Sequence, residues 1–179
     1  MATMHIRIDP LGGALASGDE DRIVDELRKI KSQRTPREQR VRSVLQILDE
    51  AASPRVRNAA ALALADMRAA SAHGKLVELL TRADTQPSRG TLLYALDELG
   101  AKLPIRALTA LIAEGSYEAR EEALGFLARS RFEASDDDLR LAQRELEKVL
   151  GSRDAERADA AKAGLEILKS IGSAAAAAE

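Results

Sequence analysis

The side chains that most often carry chemistry are scarce in this 179-residue sequence. Cysteine is absent, and histidine occurs only as His5 and His73. A triad needs a nucleophile, a base and an orienting group that converge, and a zinc site needs several nitrogen or sulfur ligands. Two isolated histidines give either one little to build from. Gly12-Gly13 lacks the Lys-Ser or Lys-Thr that completes a phosphate-cradling loop. Asp136-Asp137-Asp138 offers carboxylates to a cation, yet acids following Ser135 are accounted for by helix capping and the helix dipole. The sequence therefore predicts no enzyme, no cofactor and no metal site, and leaves binding as the chemistry to explain.

A binding surface needs elements to hold it. Hydrophobic residues make up 45% of the chain but aromatics only 2%. The apolar mass is Ala and Leu, which form helices well, with few of the β-branched or aromatic runs that strands favour. An all-α fold follows. Residues 1–18 lack helical periodicity and read as a flexible arm; His5-Ile6-Arg7-Ile8-Asp9 alternates briefly before Pro10, which leaves a short strand or docking peptide as the alternative. Ser17-x-x-Glu20 reads as a capping box, and Ile23, Leu27 and Ile30 make the single narrow stripe of an end-capping helix.

Helix starts recur after that. Thr35-Pro36-Arg37-Glu38 opens a helix over about 36–50, and Ser53-Pro54 opens the next over about 54–69. Further pairs are expected at about 73–83 and 88–99, 104–113 and 117–130, and 136–150 and 154–171. Gln86-Pro87-Ser88, Gly100, Gly115-Ser116 and Gly151 punctuate them. The helical domain spans 19–172, and residues 173–179 are an Ala-rich tail.

Four blocks repeat: Val56 to Met67, Ser88 to Gly100, Ala119 to Ser130 and Ala158 to Leu168. Aligned on Arg57, Arg89 and Arg120, the first three lie 32 and 31 residues apart, each with a Leu seven positions on (Leu64, Leu96, Leu127). Units this short cannot bury their own apolar faces, so they must stack on neighbours. The prediction is an α-α superhelix of about four helical hairpins plus an N-terminal capping helix. The motifs Val56-Arg57-x-x-Ala60-x-x-Ala63-Leu64, Arg89-x-x-x-x-x-Ala95-Leu96-x-x-Leu99-Gly100 and Ala119-Arg120-x-x-Ala123 resemble HEAT repeats of the short bacterial type also seen in phycobilin lyases. The resemblance covers about residues 36–172 and implies a right-handed superhelix. It also implies that the second helix of each pair lines the concave face and that Arg57, Arg89 and Arg120 brace neighbouring repeats. Two departures stand out: Ala158 sits where the fourth Arg belongs unless the register slips, and Arg68 replaces the closing Gly of the first block. The family includes enzymes, the phycobilin lyases and HEAT-like DNA glycosylases. With two Tyr, two Phe and no Trp, nothing singles out a bilin pocket or an aromatic cage for an extruded base.

On that register, Leu62, Tyr94 and Gly125 stand five positions after each Arg and point toward the concave face, while Asp66, Glu98 and Arg129 stand nine positions after. With Asn58 and Glu121 they outline a shallow groove with an apolar floor and a mainly acidic edge. Such a groove suits a protein or peptide with one large apolar anchor and basic flanks; packing of Leu62 and Tyr94 against adjacent helices is the alternative. The expected role is a non-catalytic scaffold or adaptor, or one subunit of a larger complex. The net charge of -2 and pI near 5.8 favour neither nucleic acid nor membrane. One window is an exception. Arg28, Lys29, Lys31, Arg34, Arg37, Arg40 and Arg42 face a single acid, Glu38, which makes a nucleic-acid or phosphate-binding module the second reading. No run approaches the ~20 apolar residues that span a bilayer, and Met1 to Gly18 resembles no secretory signal. A soluble, cytoplasmic protein is expected, and the excess of Arg over Lys suggests a GC-rich bacterial genome. Because Leu64 and Leu96 are assigned to the space between hairpins, Leu64→Ala or Leu96→Ala should each lower unfolding stability by ~2–5 kcal/mol in denaturant titrations.

Overall fold

The structure, a computed structural model, describes residues 10–176, with side chains as far as residue 171. Ten α-helices form among the described residues: α1 (Pro10–Ser17), α2 (Glu20–Lys29), α3 (Arg37–Glu50), α4 (Pro54–Asp66), α5 (His73–Thr81), α6 (Arg89–Glu98), α7 (Ile105–Glu114), α8 (Tyr117–Ala128), α9 (Asp136–Val149) and α10 (Ala155–Ala176). Consecutive helices pair into hairpins, and the second members pack in an unbroken series, α2 on α4, α4 on α6, α6 on α8 and α8 on α10. The first members form an outer layer in which α7 meets α9 closely while α3, α5 and α7 scarcely touch. A stack that is tight on one side and splayed on the other curves toward its tight side, so the even-numbered helices line the concave face. The fold is an all-α solenoid with one continuous core running from Leu11 to Leu168. No described helix is long and apolar enough to cross a membrane.

The N-terminal end corrects the expectation of an arm over residues 1–18. Residues 10–17 form α1, with Leu11 1% and Ala14 0% exposed against α2. Pro10 is tolerated at the first helical position, where no intrahelical N–H is needed, but Gly12 and Gly13 dilute the apolar spacing that would have announced a helix. The end-capping helix thereby acquires an outer partner and becomes a short fifth hairpin. Its cap is Asp19, whose Oδ1 accepts from the N–H groups of Asp21 and Arg22 at 3.0 and 3.3 Å, not Ser17; Ser17 Oγ donates back to Ala14 O at 2.6 Å. The alternating segment from His5 to Asp9 lies outside the described residues. Two other caps differ from expectation. Thr35 and Ser53 cap nothing: Pro36 precedes α3 without a side-chain bond, and Ser53 Oγ donates to Glu20 at 3.1 Å. The cap expected at Ser135 forms, as a box with Asp138, and α10 carries the Ala-rich tail on as helix to Ala176.

Three inner helices, α4, α6 and α8, end alike. Arg68, Gly100 and Ser130 have φ of +50°, +73° and +53°. After each, an N–H reaches five residues back, Ala69 to Leu64 O, Ala101 to Leu96 O and Arg131 to Phe126 O, all at 3.0 Å. This left-handed closure satisfies orphan carbonyls and turns the chain toward the next outer helix. Because the chain leaves α6 and α8 in the same direction, two short strands missed in the sequence, β1 (Leu103–Pro104) and β2 (Phe132–Glu133), pair in parallel. The next contact sets the spacing of two inner helices. At Gly90 of α6 an added Cβ would stand 2.8 Å from Glu118 Cβ and 3.2 Å from its carbonyl carbon, whereas at Gly74 of α5 it would meet nothing within 4 Å. Thermal unfolding should therefore show Gly90→Ala destabilised by ~1–3 kcal/mol through overpacking and Gly74→Ala unchanged or stabilised by ~0.5–1 kcal/mol.

Candidate binding face

The inner face is held in register by arginines. Arg57 is 2% exposed; its Nη2 donates to Ala51 O, the carbonyl ending α3, at 2.6 Å and reaches Asp84 Oδ2 of the following hairpin at 3.4 Å. Arg120 repeats this with Gly115 O at 3.1 Å and Glu156 Oε2 at 3.2 Å. Arg89 is half-buried and donates to Arg82 O at 3.4 Å. Each thus ties the end of its own outer helix, and two of them tie the next hairpin as well. The fourth arginine stands one residue before Ala158: Arg157 Nε donates to Ala113 O at 2.8 Å, reaching back to α7. A buried guanidinium has to be paired because an unpaired charge in the core is expensive. The pairing in turn fixes how each inner helix is rotated.

That rotation turns Leu62 and Tyr94 outward, 40% and 43% exposed, although both lie mid-helix among buried neighbours. They are not in one hollow. Leu62 lines a groove of about 480 Å³ between α2 and α4 with Val24, Arg28, Arg55, Asn58, Ala59, Ala63 and Asp66, and Tyr94 stands on the adjacent helix α6. Asn58 is half-buried, its Oδ1 without a hydrogen-bond partner. Asp66, Glu98 and Glu121 are exposed. The space that Gly125 leaves for want of a side chain is filled: the guanidinium of Arg129 folds back over it, so that an added Cβ would stand 2.8 Å from Nη2.

The seven basic residues from Arg28 to Arg42 do not make one patch. Arg28 pairs with Asp25 at 3.4 Å at the edge of the Leu62 groove. Arg37 donates to Met67 O and Arg68 O at 2.9 and 3.0 Å, and Arg40 to Ile30 O at 2.7 Å and to Lys31 O. Arg37 thereby caps the C-terminus of α4, its own hairpin partner, and Arg40 that of α2 in the preceding hairpin, roles that sequence spacing does not announce. Lys29, Arg34 and Arg42 are exposed elsewhere, and only Lys31 joins Arg37 and Arg40 around a common hollow.

Sequence reasoning missed a charge network at the α6–α8 seam. Asp97 receives Arg129 at 2.6 Å and Arg131 at 2.9 Å, and Arg131 also donates to Asp97 O. Arg129 is therefore a bridge between helices as well as a rim residue. Glu122 is half-buried on α8. Burial holds its carboxyl above the usual carboxylate range; Arg129 opposes the shift, while Asp97 and Glu121 add to it. A signal existed in the Asp97/Arg129/Arg131 composition, but only stacking shows that these residues meet.

No protein-family model and no curated protein matches the chain. Among solved structures, the crystal structure of an engineered protein aligns over 89% of this chain and 80% of its own, with 20% identity and a TM-score of 0.55. A designed armadillo repeat protein aligns over 89% of this chain and 81% of its own, with 21% identity and a TM-score of 0.43. The layering above and the likeness to the engineered protein define the class as a helical-repeat solenoid.

Glu122 gives a pH signature. A carboxyl whose native pKa is raised binds its proton more tightly folded than unfolded, so stability falls as pH climbs from the unfolded carboxylate range through the native value. Glu122→Gln removes this penalty. The variant should melt at a higher temperature than the wild type at about pH 7.5, and the difference should vanish at about pH 3.5, where both side chains are neutral.

Proposed function

We propose that this chain is a HEAT-like, non-catalytic scaffold that holds a segment of another protein against its concave face. The observation carrying this reading is the exposure of Leu62 and Tyr94 in the middle of inner helices. Ala at either position would serve helix and packing equally, since neither side chain contributes to the core cluster. A large apolar side chain set over Leu62 removes more area from water than one on a flat surface. Burying one such side chain yields ~1.5–3 kcal/mol, the contribution of an interface anchor. Asp66, Glu98 and Glu121 are exposed nearby, and no ion pair among the described residues includes them. Glu98 of α6 and Glu121 of α8 favour basic residues on that side of the anchor.

Peptides selected from a displayed random library on the wild-type protein should converge on one large apolar residue with Lys or Arg beside it. A Leu62→Ser/Tyr94→Ala double variant should keep the wild-type helical circular dichroism and melting temperature while losing these peptides. Equal binding to the double variant, or selection without a consensus, would sink this reading. Unfolding of the double variant would show instead that the two side chains serve the core.

A further inference from the structure

The cations that the Leu62 groove leaves unused meet at its edge. Where α2 and α4 end, a pocket of about 260 Å³ is lined by Lys31, Arg37, Arg40, Asp66, Met67 and Arg68. Four cations share it with one carboxylate, and among the described residues none of these five groups is in an ion pair. Two of the cations are already immobilised. Arg37 Nη2 is held by Met67 O and Arg68 O, and Arg40 Nη1 by Ile30 O and Lys31 O, so each guanidinium retains further N–H donors in a fixed plane. Donors positioned in advance lose little entropy on binding, and hydrogen bonds from cations to oxyanions are the strong ones.

The backbone supplies an independent observation. Arg68 occupies the left-handed closing position at φ +50°, where the next two hairpins have Gly100 and Ser130. A β-carbon is strained there, and glycine is not. The carbonyl and N–H of Arg68 are used by the fold, but its side chain makes no hydrogen bond or ion pair among the described residues. The Arg68 side chain is thus unspent at the pocket it lines. Asp66 lines both this pocket and the Leu62 groove, so the two adjoin at its side chain.

We propose that Lys31, Arg37, Arg40 and Arg68 form an oxyanion pocket that takes one phosphate or carboxylate group of the peptide whose apolar residue sits on Leu62. This rests on the scaffold reading above and gives the bound segment a direction, with its anion toward α2–α4 and its basic flank toward α6–α8. A nucleic-acid strand is a poorer fit. Beyond the pocket, a hollow of about 420 Å³ is lined by Lys31, Arg68, Asp66 and Glu98, where a second phosphate would meet carboxylates.

Inorganic phosphate titrated into the nitrogen-15-labelled full chain at constant ionic strength should shift the backbone amides of Lys31, Arg37, Arg40 and Arg68 along one saturating curve. Arg68→Gly relieves the backbone strain, so it should melt no lower than the wild type while binding phosphate about tenfold more weakly. Shifts scattered over all surface arginines without saturation, or undiminished affinity in Arg68→Gly, would overturn the pocket. A leucine-containing peptide tested with and without phosphoserine, and with a free or amidated C-terminus, separates the two oxyanion sources. At least one anionic form should bind more tightly than its neutral counterpart and lose that advantage on Arg68→Gly; no advantage for either overturns the proposal. Leu62→Ser should weaken the peptide and spare inorganic phosphate. Phosphate binding with a peptide indifferent to Leu62→Ser sinks the groove and leaves the pocket. An oligonucleotide that outcompetes every peptide makes the ligand nucleic acid and overturns the assignment.

Discussion

The guanidinium of Arg57, sealed between the last carbonyl of α3 and Asp84 of the next hairpin, shows what holds the stack in register. Apolar burial between hairpins is non-directional: Leu64, Leu92 and Leu96 are fully buried but would tolerate several rotations of one hairpin on another. A buried cation does not, because it must keep its acceptors or stand unpaired in a low-dielectric core. Arg120 makes the same link two hairpins on. Where these links hold, each inner helix has one orientation, and a residue five positions after the arginine has one direction in which to point.

The concave face follows from that fixed rotation combined with a difference between the layers. Inner helices carry Ala60, Ala63, Ala95, Ala119 and Ala123 at their buried contacts, and small side chains let helix backbones approach closely. Gly90 against Glu118 is the extreme case. Outer helices α3, α5 and α7 have no such series of contacts. The stack therefore bends around the face that carries Leu62 and Tyr94. Curvature and exposure have one origin.

Charge is distributed along this face by the fold. Near α2 and α4 the unpaired groups are Lys31, Arg37, Arg40 and Arg68 around Asp66. Toward α8 the exposed groups are Glu98, Glu118 and Glu121, and the cations there are consumed by Asp97. A nearly neutral sum conceals a face with two electrostatic ends, and complementary potentials of that kind set orientation and partner choice more than raw affinity.

Helix identity, the repeat spacing and the outward register of Leu62 and Tyr94 were legible in the amino-acid order, because periodicity, Pro and Ser starts and Gly stops act within a few residues of where they are written; the links that Arg57 and Arg120 make to the next hairpin were implied only by the resemblance to HEAT repeats. Local signals misled where two conflicted, as at α1, whose glycines masked Leu11 and Ala14. They were silent where partners lie a repeat away. Arg37 and Arg40 read as free charge and became caps for α4 and α2; Arg129 read as rim and became a bridge to Asp97; Arg68 read as a flawed helix stop and became part of a cation pocket. The chain by itself determined what each helix is and which of its faces is apolar. Only stacking decided which charges are spent on carbonyls and carboxylates and which remain for a partner, because that choice depends on groups about 30 residues apart meeting at ~3 Å in space.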